Sequence, residues 1–211
     1  MTTHKLADTE NMASQCKANE LVCMIRFIDP EYNTLFSIPD GSSIVMTCLN
    51  GNKKVRQCSY VDALHAKIGG AVTYLHRFAW FSQKAGVIYE PADLTLLPAE
   101  SGYYEIYQIE QLDKVECVVT EGGCPQVTIH GVNYRKAFAA MLAPCVTIDD
   151  LYRQHSVDSR FDIQKLKTVS ASDVFVLKRR SGEKAYYIDA AGIHEIPDFL
   201  QKNKYVQPHG E

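Results

Sequence analysis

The sequence predicts an α+β fold of two small sheet-plus-helix units, in which most strands form antiparallel hairpins. Short runs of β-branched and aromatic residues recur between turn residues such as Asn50-Gly51 and Ser181-Gly182, which is typical of hairpins. Other stretches carry apolar residues at helical spacing. A segment with prolines, serine and glycine separates the two halves. The predicted division is a flexible tail at 1–20, a small α+β domain at 21–90, a linker at 91–102 and a second α+β domain at 103–205.

The first predicted domain is a small sheet crossed by one helix. The Asn50-Gly51 pair favours a two-residue type I′ turn, which would place Cys48 opposite Lys53. Apolar side chains at helical spacing predict a helix over residues 71–85, and Gly86 stands where a helix C-cap is expected. The strands are predicted at 21–28, 34–38, 43–49 and 53–60.

The second predicted domain combines strands and helices with a long hairpin over residues 173–189. If Ser181-Gly182 is the turn of this hairpin, Leu177 faces Tyr186 and Phe175 faces Ile188 across the ladder. These four side chains then share one face of the hairpin, and the residues between them take the other. The remaining elements are predicted as strands at 103–109 and 112–120 and as helices at 133–142, at 148–155 with Thr147 as N-cap, and at 197–202.

Composition and net charge exclude several classes of protein. The chain has 211 residues and a formal net charge of −3, which excludes a strongly basic protein that binds nucleic acid mainly by neutralising phosphates. Its seven cysteines are an odd number, and residues 1–20 lack the apolar core of a signal peptide. No apolar stretch approaches the length of a membrane span. We therefore expect a protein of the reducing cytoplasm, without a membrane partner.

Two loose groups of cysteine and histidine are the candidates for metal or thiol chemistry. Neither group has the spacing that is typical of zinc sites. Cys124 is the thiol best placed for nucleophilic catalysis, because it lies in a Gly-Gly-Cys-Pro turn close in sequence to His130. Without a nucleotide-binding or serine-hydrolase motif, we expect no catalytic residue, no metal and no cofactor. The two groups are Cys48, Cys58, His65 and His76, and Cys117, Cys124 and His130.

Charged residues are unevenly distributed along the chain. Between residues 53 and 86 six basic residues meet one acid, whereas between residues 91 and 121 seven acids meet one base. Such polarity is typical of a protein that binds an oppositely charged partner. We expect the hairpin tip at Lys178, Arg179 and Arg180 to lie outside the packed layer, where its charge can meet an acidic protein or a nucleic acid. The predicted partner-binding residues are Lys178, Arg179, Arg180 and Lys184 on the hairpin, and Arg77 and Trp80 on the first helix.

The second half of the chain resembles the YodL-like domain of proteins from bacterial plasmids, conjugative elements and phages. The resemblance begins at Tyr104-Glu105-Ile106-Tyr107 and includes Asp149-Asp150-Leu151-Tyr152. It continues through Ser170-Ala171-Ser172-Asp173, Ala185-Tyr186-Tyr187-Ile188-Asp189 and Gly192-Ile193-His194-Glu195. The motifs occur in this order and together span roughly half of the chain.

The first half is similar to an accessory domain that accompanies the YodL-like domain in polyvalent proteins of mobile elements. The residues that carry this similarity are Ser37-Ile38-Pro39-Asp40-Gly41, Cys58-Ser59-Tyr60-Val61-Asp62, His65, His76 and Gly86-Val87-Ile88-Tyr89-Glu90-Pro91. Both resemblances imply proteins that act on host defence or host physiology by binding. They carry over no set of catalytic residues.

These observations lead to one main functional hypothesis and two alternatives. The main hypothesis is a non-enzymatic protein, encoded by a mobile element or phage, that inhibits a host defence system of the anti-CRISPR or anti-restriction type. It would occupy the surface of a host protein or nucleoprotein complex in the bacterial cytoplasm, and nucleic acid would be contacted through that partner. The alternatives are an enzyme that modifies a host factor through a Cys/His site, and a regulator of a host cytoskeletal or cell-shape protein.

Overall fold

Two five-stranded sheets, two separate hairpins and two α-helices form the architecture of the residues that the structure describes. The computed structural model describes residues 23–109, 116–119, 125–128, 134–156, 168–197 and 199. Every strand pairing within these residues is antiparallel. The prediction of a sheet-rich α+β fold is therefore confirmed. The predicted tail at 1–20 and most of the predicted helix at 197–202 lie outside the described residues. No helix within the described residues is long and apolar enough to cross a membrane.

From residue 23 onward, the first half forms a hairpin, a five-stranded sheet and one α-helix. Strands β1 and β2 pair with each other, and the sheet has the order β6-β5-β4-β3-β7. The elements are β1 (Met24–Ile28), β2 (Thr34–Pro39), β3 (Ser43–Thr47), β4 (Lys53–Tyr60), β5 (His65–Ile68), β6 (Ala71–Tyr74), α1 (Leu75–Ala85), β7 (Ile88–Pro91) and a 3₁₀ turn (Leu94–Leu96).

Helix α1 is shorter than predicted, because residues 71–74 form strand β6 before the helix begins. Its end agrees with the prediction. Gly86 adopts a left-handed conformation with φ of +65°, and its N–H donates to the carbonyl of Gln83. The next N–H, of Val87, donates to the carbonyl of Ser82 at 2.8 Å, which completes a Schellman motif. The glycine therefore turns the chain directly into β7.

The β3–β4 turn differs from the prediction by one residue. Thr47, not Cys48, lies opposite Lys53. The N–H of Cys48 donates instead to the carbonyl of Asn52 at 2.8 Å, so that residues 49–51 form the loop. Gly51, with φ of +85°, provides the left-handed residue that a three-residue hairpin loop requires at its last position.

The second half forms a five-stranded sheet with the order β11-β8-β12-β13-β14, a separate β9–β10 hairpin and helix α2. Gly102 opens β8 directly against β12, where an added Cβ atom would stand 2.0 Å from the carbonyl oxygen of Lys178. The elements are β8 (Gly102–Ile109), β9 (Glu116–Val119), β10 (Pro125–Thr128), β11 (Tyr134–Leu142), α2 (Ile148–Ser156), β12 (Val174–Arg179), β13 (Gly182–Asp189) and β14 (Gly192–Glu195).

The helix predicted at 133–142 is wrong, because this segment is strand β11. Phe138 and Leu142 pack into the core of the second half, whereas Met141 packs into the core of the first half. A strand that is buried on both faces has a continuous apolar sequence, which periodicity does not distinguish from a buried helix. Alanine favours the helix locally, but the pairing of β11 with β8 overrides this preference.

The β12–β13 hairpin has the predicted faces but a shifted register. Phe175 lies opposite Tyr186, and Leu177 lies opposite Lys184, so the turn is Arg180-Ser181. The shift is two residues. Because side chains alternate with a period of two, Phe175, Leu177, Tyr186 and Ile188 still pack on the same side of the sheet.

The N-terminus of α2 confirms the predicted cap. The Thr147 hydroxyl accepts from the backbone N–H of Asp150 at 3.3 Å, and the Asp150 carboxylate accepts from the N–H of Thr147 at 3.0 Å. This reciprocal pair is a capping box with aspartate at the third helical position. The carboxylate also complements the positive end of the helix dipole.

The core of the first half extends across the predicted domain boundary. Phe27 stacks on Phe36 with ring centroids 4.8 Å apart, and Met141 and Ala143 from the second half belong to the same apolar cluster. The predicted linker at 91–102 contains the end of β7, the 3₁₀ turn and the buried residues Leu97 and Ser101. The division into two domains stays a prediction.

A buried polar junction joins the two helices through the second sheet. The Tyr104 hydroxyl on β8 accepts from Nε2 of Gln83 on α1 at 3.3 Å and lies 2.8 Å from Nε2 of His155 on α2. All three side chains are buried. Burial lowers the pKa of His155 to about 4, so its imidazole is neutral at pH 7 and accepts the hydroxyl proton of Tyr104.

This junction predicts a specific acid sensitivity. The pKa of His155 is about 4 in the folded protein, against roughly 6.5 in the unfolded chain, so the unfolded state binds more protons between these values. The free energy of unfolding is therefore highest above pH 6.5 and falls as the pH is lowered towards 4. In urea titrations, wild type should lose about 2 kcal/mol more than His155→Gln between pH 7 and pH 5.

The control for this prediction is His194→Gln, since His194 is an exposed histidine beside Asp189. It should keep the extra acid loss that distinguishes wild type from His155→Gln, because His194 does not contact the buried junction. Equal acid losses for wild type and His155→Gln would contradict the neutral, buried state of His155.

Candidate partner-binding face

The six residues predicted to bind a partner lie on two different parts of the fold. Lys178, Arg179, Arg180 and Lys184 belong to the β12–β13 hairpin, whereas Arg77 and Trp80 lie on α1. Their surroundings differ. The hairpin residues are tied to neighbouring groups of the protein, while the two helix residues lie in a face that points away from the core.

Lys178 is part of a buried charge cluster rather than a free tip. Its ammonium lies 3.0 Å from the carboxylate of Glu105, which is 3% exposed and is also bound by Lys136 at 3.1 Å. The Tyr107 hydroxyl donates to the same carboxylate at 2.9 Å. Burial alone would raise the pKa of the Glu105 carboxyl, but the attraction of Lys178 and Lys136 outweighs it, and the net pKa lies below its ordinary value. Lys178 lies outside the layer of Phe175 and Leu177, as predicted, but on the other side of the sheet it is a partly buried ion-pair partner and not a freely exposed charge.

Arg179 and Arg180 fasten the hairpin to neighbouring loops. The Arg179 guanidinium donates to the carbonyl of Val146 at 2.6 Å and to that of Glu100. Arg180 donates to the carbonyl of Leu97 at 2.9 Å. Charge-assisted bonds to loop carbonyls hold the turn against the segment that precedes β8. These two guanidinium groups therefore have a structural role in addition to any contact with a partner.

Lys184 is the hairpin residue that faces solvent. Its ammonium pairs with Glu195 on the neighbouring strand β14 at 3.1 Å, and both side chains are largely exposed. The bond to Glu195 raises the pKa of Lys184. Exposed pairs of this kind contribute little to stability.

Helix α1 separates a buried face from an exposed face with helical periodicity. The buried face packs Leu75, Phe78 and Ala79 against the core and also holds Gln83 of the polar junction. The opposite face carries side chains at spacings of three and four residues, so they are neighbours on the helix surface. Those side chains, which we call the α1 outer face, are Arg77, Trp80, Phe81 and Lys84.

Cations and aromatic rings alternate on the α1 outer face. The Arg77 guanidinium carbon lies 5.9 Å from the centroid of the Phe81 ring, and the Lys84 ammonium lies 5.3 Å from the Trp80 ring. Trp80 and Phe81 meet edge to face with centroids 4.9 Å apart. Phe81 is 52% exposed. The face therefore presents a large aromatic surface next to two positive charges.

The residues predicted from the sequence include Arg77 and Trp80 but not Phe81 and Lys84, the other two members of the α1 outer face. Helical spacing of apolar residues does not distinguish Phe81 from Phe78 three residues before it, although of the two the structure buries only Phe78. The signal that separates them is their angular position. Phe78 shares its face with Leu75 and Ser82, whereas Phe81 lies four residues after Arg77 and one turn before Lys84.

Exposed apolar surface is concentrated in the first half of the chain. Every large, strongly exposed apolar side chain among the described residues lies between positions 24 and 94. Within residues 103–109, 134–156 and 168–197, large apolar side chains are buried or partly covered. Exposed aromatic and aliphatic surface is typical of interaction sites. The exposed side chains are Met24, Tyr32, Val55, Tyr60, Val61, Leu64, Val72, Phe81 and Leu94.

A polar cleft of about 450 Å³ lies between the β1–β2 turn and α2. Its lining includes Glu31, Cys145 and Asp150. Gln154 donates to the Glu31 carboxylate at 3.3 Å, and Arg153 pairs with Asp150 at 3.5 Å. Burial and the nearby carboxylate of Asp29 raise the pKa of Glu31. The polar groups of the cleft thus bind one another, which is the pattern of a structural contact between the two halves.

The described thiols show no shared site. Cys23, Cys48, Cys58 and Cys145 are free, and burial raises the pKa of Cys58 to about 11, so this thiol stays protonated at neutral pH. Within the part of the chain that the structure describes, no three His, Cys, Asp or Glu side chains are arranged to hold a metal ion. The side chains of Cys117, Cys124 and His130 lie outside the described residues.

The charge cluster around Glu105 predicts unequal roles for two hairpin lysines. Lys178→Ala leaves the buried Glu105 carboxylate with one cation fewer, and should cost about 1.5–3 kcal/mol of unfolding free energy. Lys184→Ala removes an exposed pair and should leave the urea midpoint unchanged. Equal midpoints for the two variants in urea unfolding would contradict the structural role of Lys178.

The comparison with known proteins identifies the second half. A family model for the YodL-like domain matches residues 103–199. This range begins within β8 and includes β9 to β14 and α2. No curated protein and no solved structure matches the chain. The predicted YodL-like identity of the C-terminal half is therefore confirmed, whereas the accessory-domain identity of residues 21–90 and the mobile-element origin stay predictions.

Proposed function

We propose that this chain is a non-enzymatic binding protein that inhibits a bacterial host defence system by occupying a surface of a partner. The partner is a protein or nucleoprotein complex in the cytoplasm of the host cell, of the kind that anti-CRISPR or anti-restriction proteins inhibit. The observation that carries the proposal is the α1 outer face, where two aromatic side chains stand beside two cations. The host-defence context is taken from the resemblance of both halves to domains of mobile-element proteins, and the family match itself covers the YodL-like domain at residues 103–199.

The chemistry of the α1 outer face defines the partner surface that fits it. Trp80 and Phe81 are the kind of side chains that fill apolar pockets at the centre of interfaces. Arg77 and Lys84 flank them, and the sequence of α1 contains no acidic residue. The face therefore complements an apolar pocket on a protein subunit whose rim carries carboxylates.

The described ionisable groups favour binding over catalysis. The Glu105 carboxylate is held between two lysines, and the His155 imidazole is enclosed in the core with Tyr104. The Cys58 thiol is buried and protonated. Each of these three groups is buried or paired within the protein and does not face an open cleft. Surface complementarity is the role that the described residues support best.

The experiment is a plasmid-transformation assay in a host whose defence system is active. Phe81→Ser and Arg77→Glu should each abolish most of the inhibition by wild type, because loss of a central contact of an interface typically costs 2 kcal/mol or more, which is roughly 30-fold in affinity. Affinity for the purified defence complex should fall in parallel. Val55→Ser is the matched control, since it removes an equally exposed apolar side chain from β4.

Two outcomes would contradict the proposal. Full inhibition by Phe81→Ser would remove the α1 outer face from the interface. A folded Cys124→Ser variant that has lost inhibition, together with fully active Phe81→Ser, would replace the binding mechanism by an enzymatic one.

A further inference from the structure

Strand β4 extends beyond the strand that covers its second edge. It pairs with β3 over residues 53–57, whereas β5 pairs only with residues 58–60 on the other side. The last bond on that side runs from the N–H of Gly69 to the carbonyl of Gln57 at 2.9 Å, after which the chain turns into β6. No described strand pairs with the preceding four residues of β4 on this side. We call these residues, Lys53, Lys54, Val55 and Arg56, the open β4 edge.

The ladder with β3 determines which backbone groups of this edge are free. The N–H of Cys58 donates to the carbonyl of Ser42 at 2.8 Å. Because bonded pairs alternate along an antiparallel ladder, the N–H and C=O groups of Lys53 and Val55 point away from β3. Within the described residues the N–H of Val55 has no acceptor, and its carbonyl accepts only from the Arg56 guanidinium at 3.3 Å. The edge therefore presents both donors and acceptors to an incoming chain.

The open β4 edge is positively charged. It carries three exposed cations, Lys53, Lys54 and Arg56, and none of them forms an ion pair within the described residues. The five strands of this sheet contain one acid, Glu90 on β7. Strand β7 is two strands from β4, which is about 10 Å across the sheet. One distant carboxylate against three unpaired cations leaves the edge positive.

We propose that the open β4 edge binds an extended acidic segment of a partner protein as an added strand. The segment would bond to the outward N–H and C=O groups of Lys53 and Val55 and place carboxylates beside the three cations. In strand addition of this kind, main-chain bonds provide affinity and side chains provide specificity. The edge shares no residue with the α1 outer face, so the inference goes beyond the proposed function and does not depend on it.

Alternation along β4 indicates the sequence of the segment. Lys53 and Val55 lie on one face of the sheet, and Lys54 and Arg56 lie on the other. All pairings in this sheet are antiparallel, so an added strand in the same orientation meets Arg56 first and Lys53 last. The complementary sequence, read from its N-terminus, is Glu-Val-Glu-Glu. These four residues span about 13 Å, the length of the open edge.

Three other occupants fit this edge less well. A second copy of the chain would bring the same three cations against each other. The phosphates of a nucleic acid only accept hydrogen bonds, so they would leave the outward carbonyls of Lys53 and Val55 without donors. Neutral and basic strands are disfavoured by edge lysines, which in many proteins prevent unwanted pairing. The same lysines attract an acidic strand.

The first measurement is the fluorescence anisotropy of the labelled peptide Gly-Ser-Glu-Val-Glu-Glu-Ser-Gly with the full chain. We expect a Kd below about 1 mM that rises with salt. N-methylation of the peptide at its valine and last glutamate should lower the affinity about ten-fold or more, because it removes the two N–H groups that face the outward carbonyls.

Two variants at one position separate the backbone from the side chain. Val55→Pro removes the outward N–H but no bond to β3, and should lower the affinity for the peptide about five-fold. Val55→Ser is the matched control, since it removes the same side chain and keeps the N–H. It should bind the peptide within about three-fold of wild type.

Amide hydrogen exchange, followed by NMR, tests the same bonds in the wild-type chain. Without peptide, the N–H of Val55 should exchange fast and that of Arg56, which is bonded to β3, should exchange slowly. The peptide should protect Val55. It should not protect Val72, an equally exposed valine whose N–H points outward from the edge strand β6.

Several outcomes would overturn the inference. Equal affinity for the plain and the N-methylated peptide would show that charge alone causes binding. No binding at about 1 mM peptide, or no protection of Val55 in the complex, would exclude an added strand. Displacement of the peptide by an equal concentration of oligo(dT) would assign the cations to a nucleic acid. None of these results alters the Phe81-dependent inhibition that tests the proposed function.

Discussion

The position of α1 depends on the hydroxyl group of Tyr104. This atom lies in the core between Gln83 on the inner face of α1 and His155 on α2, so one hydrogen-bonded junction connects both helices to strand β8. Unpaired polar groups at this depth would be costly, which makes the three side chains dependent on one another. The inner face of α1 is thus held in place, and its outer face presents Trp80 and Phe81 from a rigid base.

Local signals in the sequence were sufficient where a single residue determines the backbone. Gly86 ends α1 and Thr147 caps α2 as predicted, because each acts on its own few neighbours. Long-range packing was needed elsewhere. Phe138 and Met141 lie on a strand because β8 pairs with its edge and the cores of the two halves cover its two faces. The alanines between them do not indicate these distant contacts. Whether Phe81 lies on the buried or the exposed face of α1 likewise depends on the position of the core, which the local sequence does not show.

The charges of the predicted site illustrate the same difference. Lys178 and Arg179 follow each other in a basic run, yet one neutralises buried Glu105 and the other binds loop carbonyls. Charge in the sequence shows where cations are, but only their partners show whether they are free to meet another molecule. The contrast between the halves follows from this. Lys178, Arg179 and Arg180 of the YodL-like half bind groups within the protein, whereas α1 in the first half presents rings and cations outward.

The most direct test of this account is photo-crosslinking in host cells that carry the active defence system. A benzophenone amino acid would replace Phe81 on the α1 outer face, and in a second variant Ser181 at the tip of the β12–β13 hairpin. The account predicts a covalent adduct with a subunit of the defence complex from position 81 and none from position 181. An adduct from position 181 alone would contradict the claim that the first half carries the partner surface.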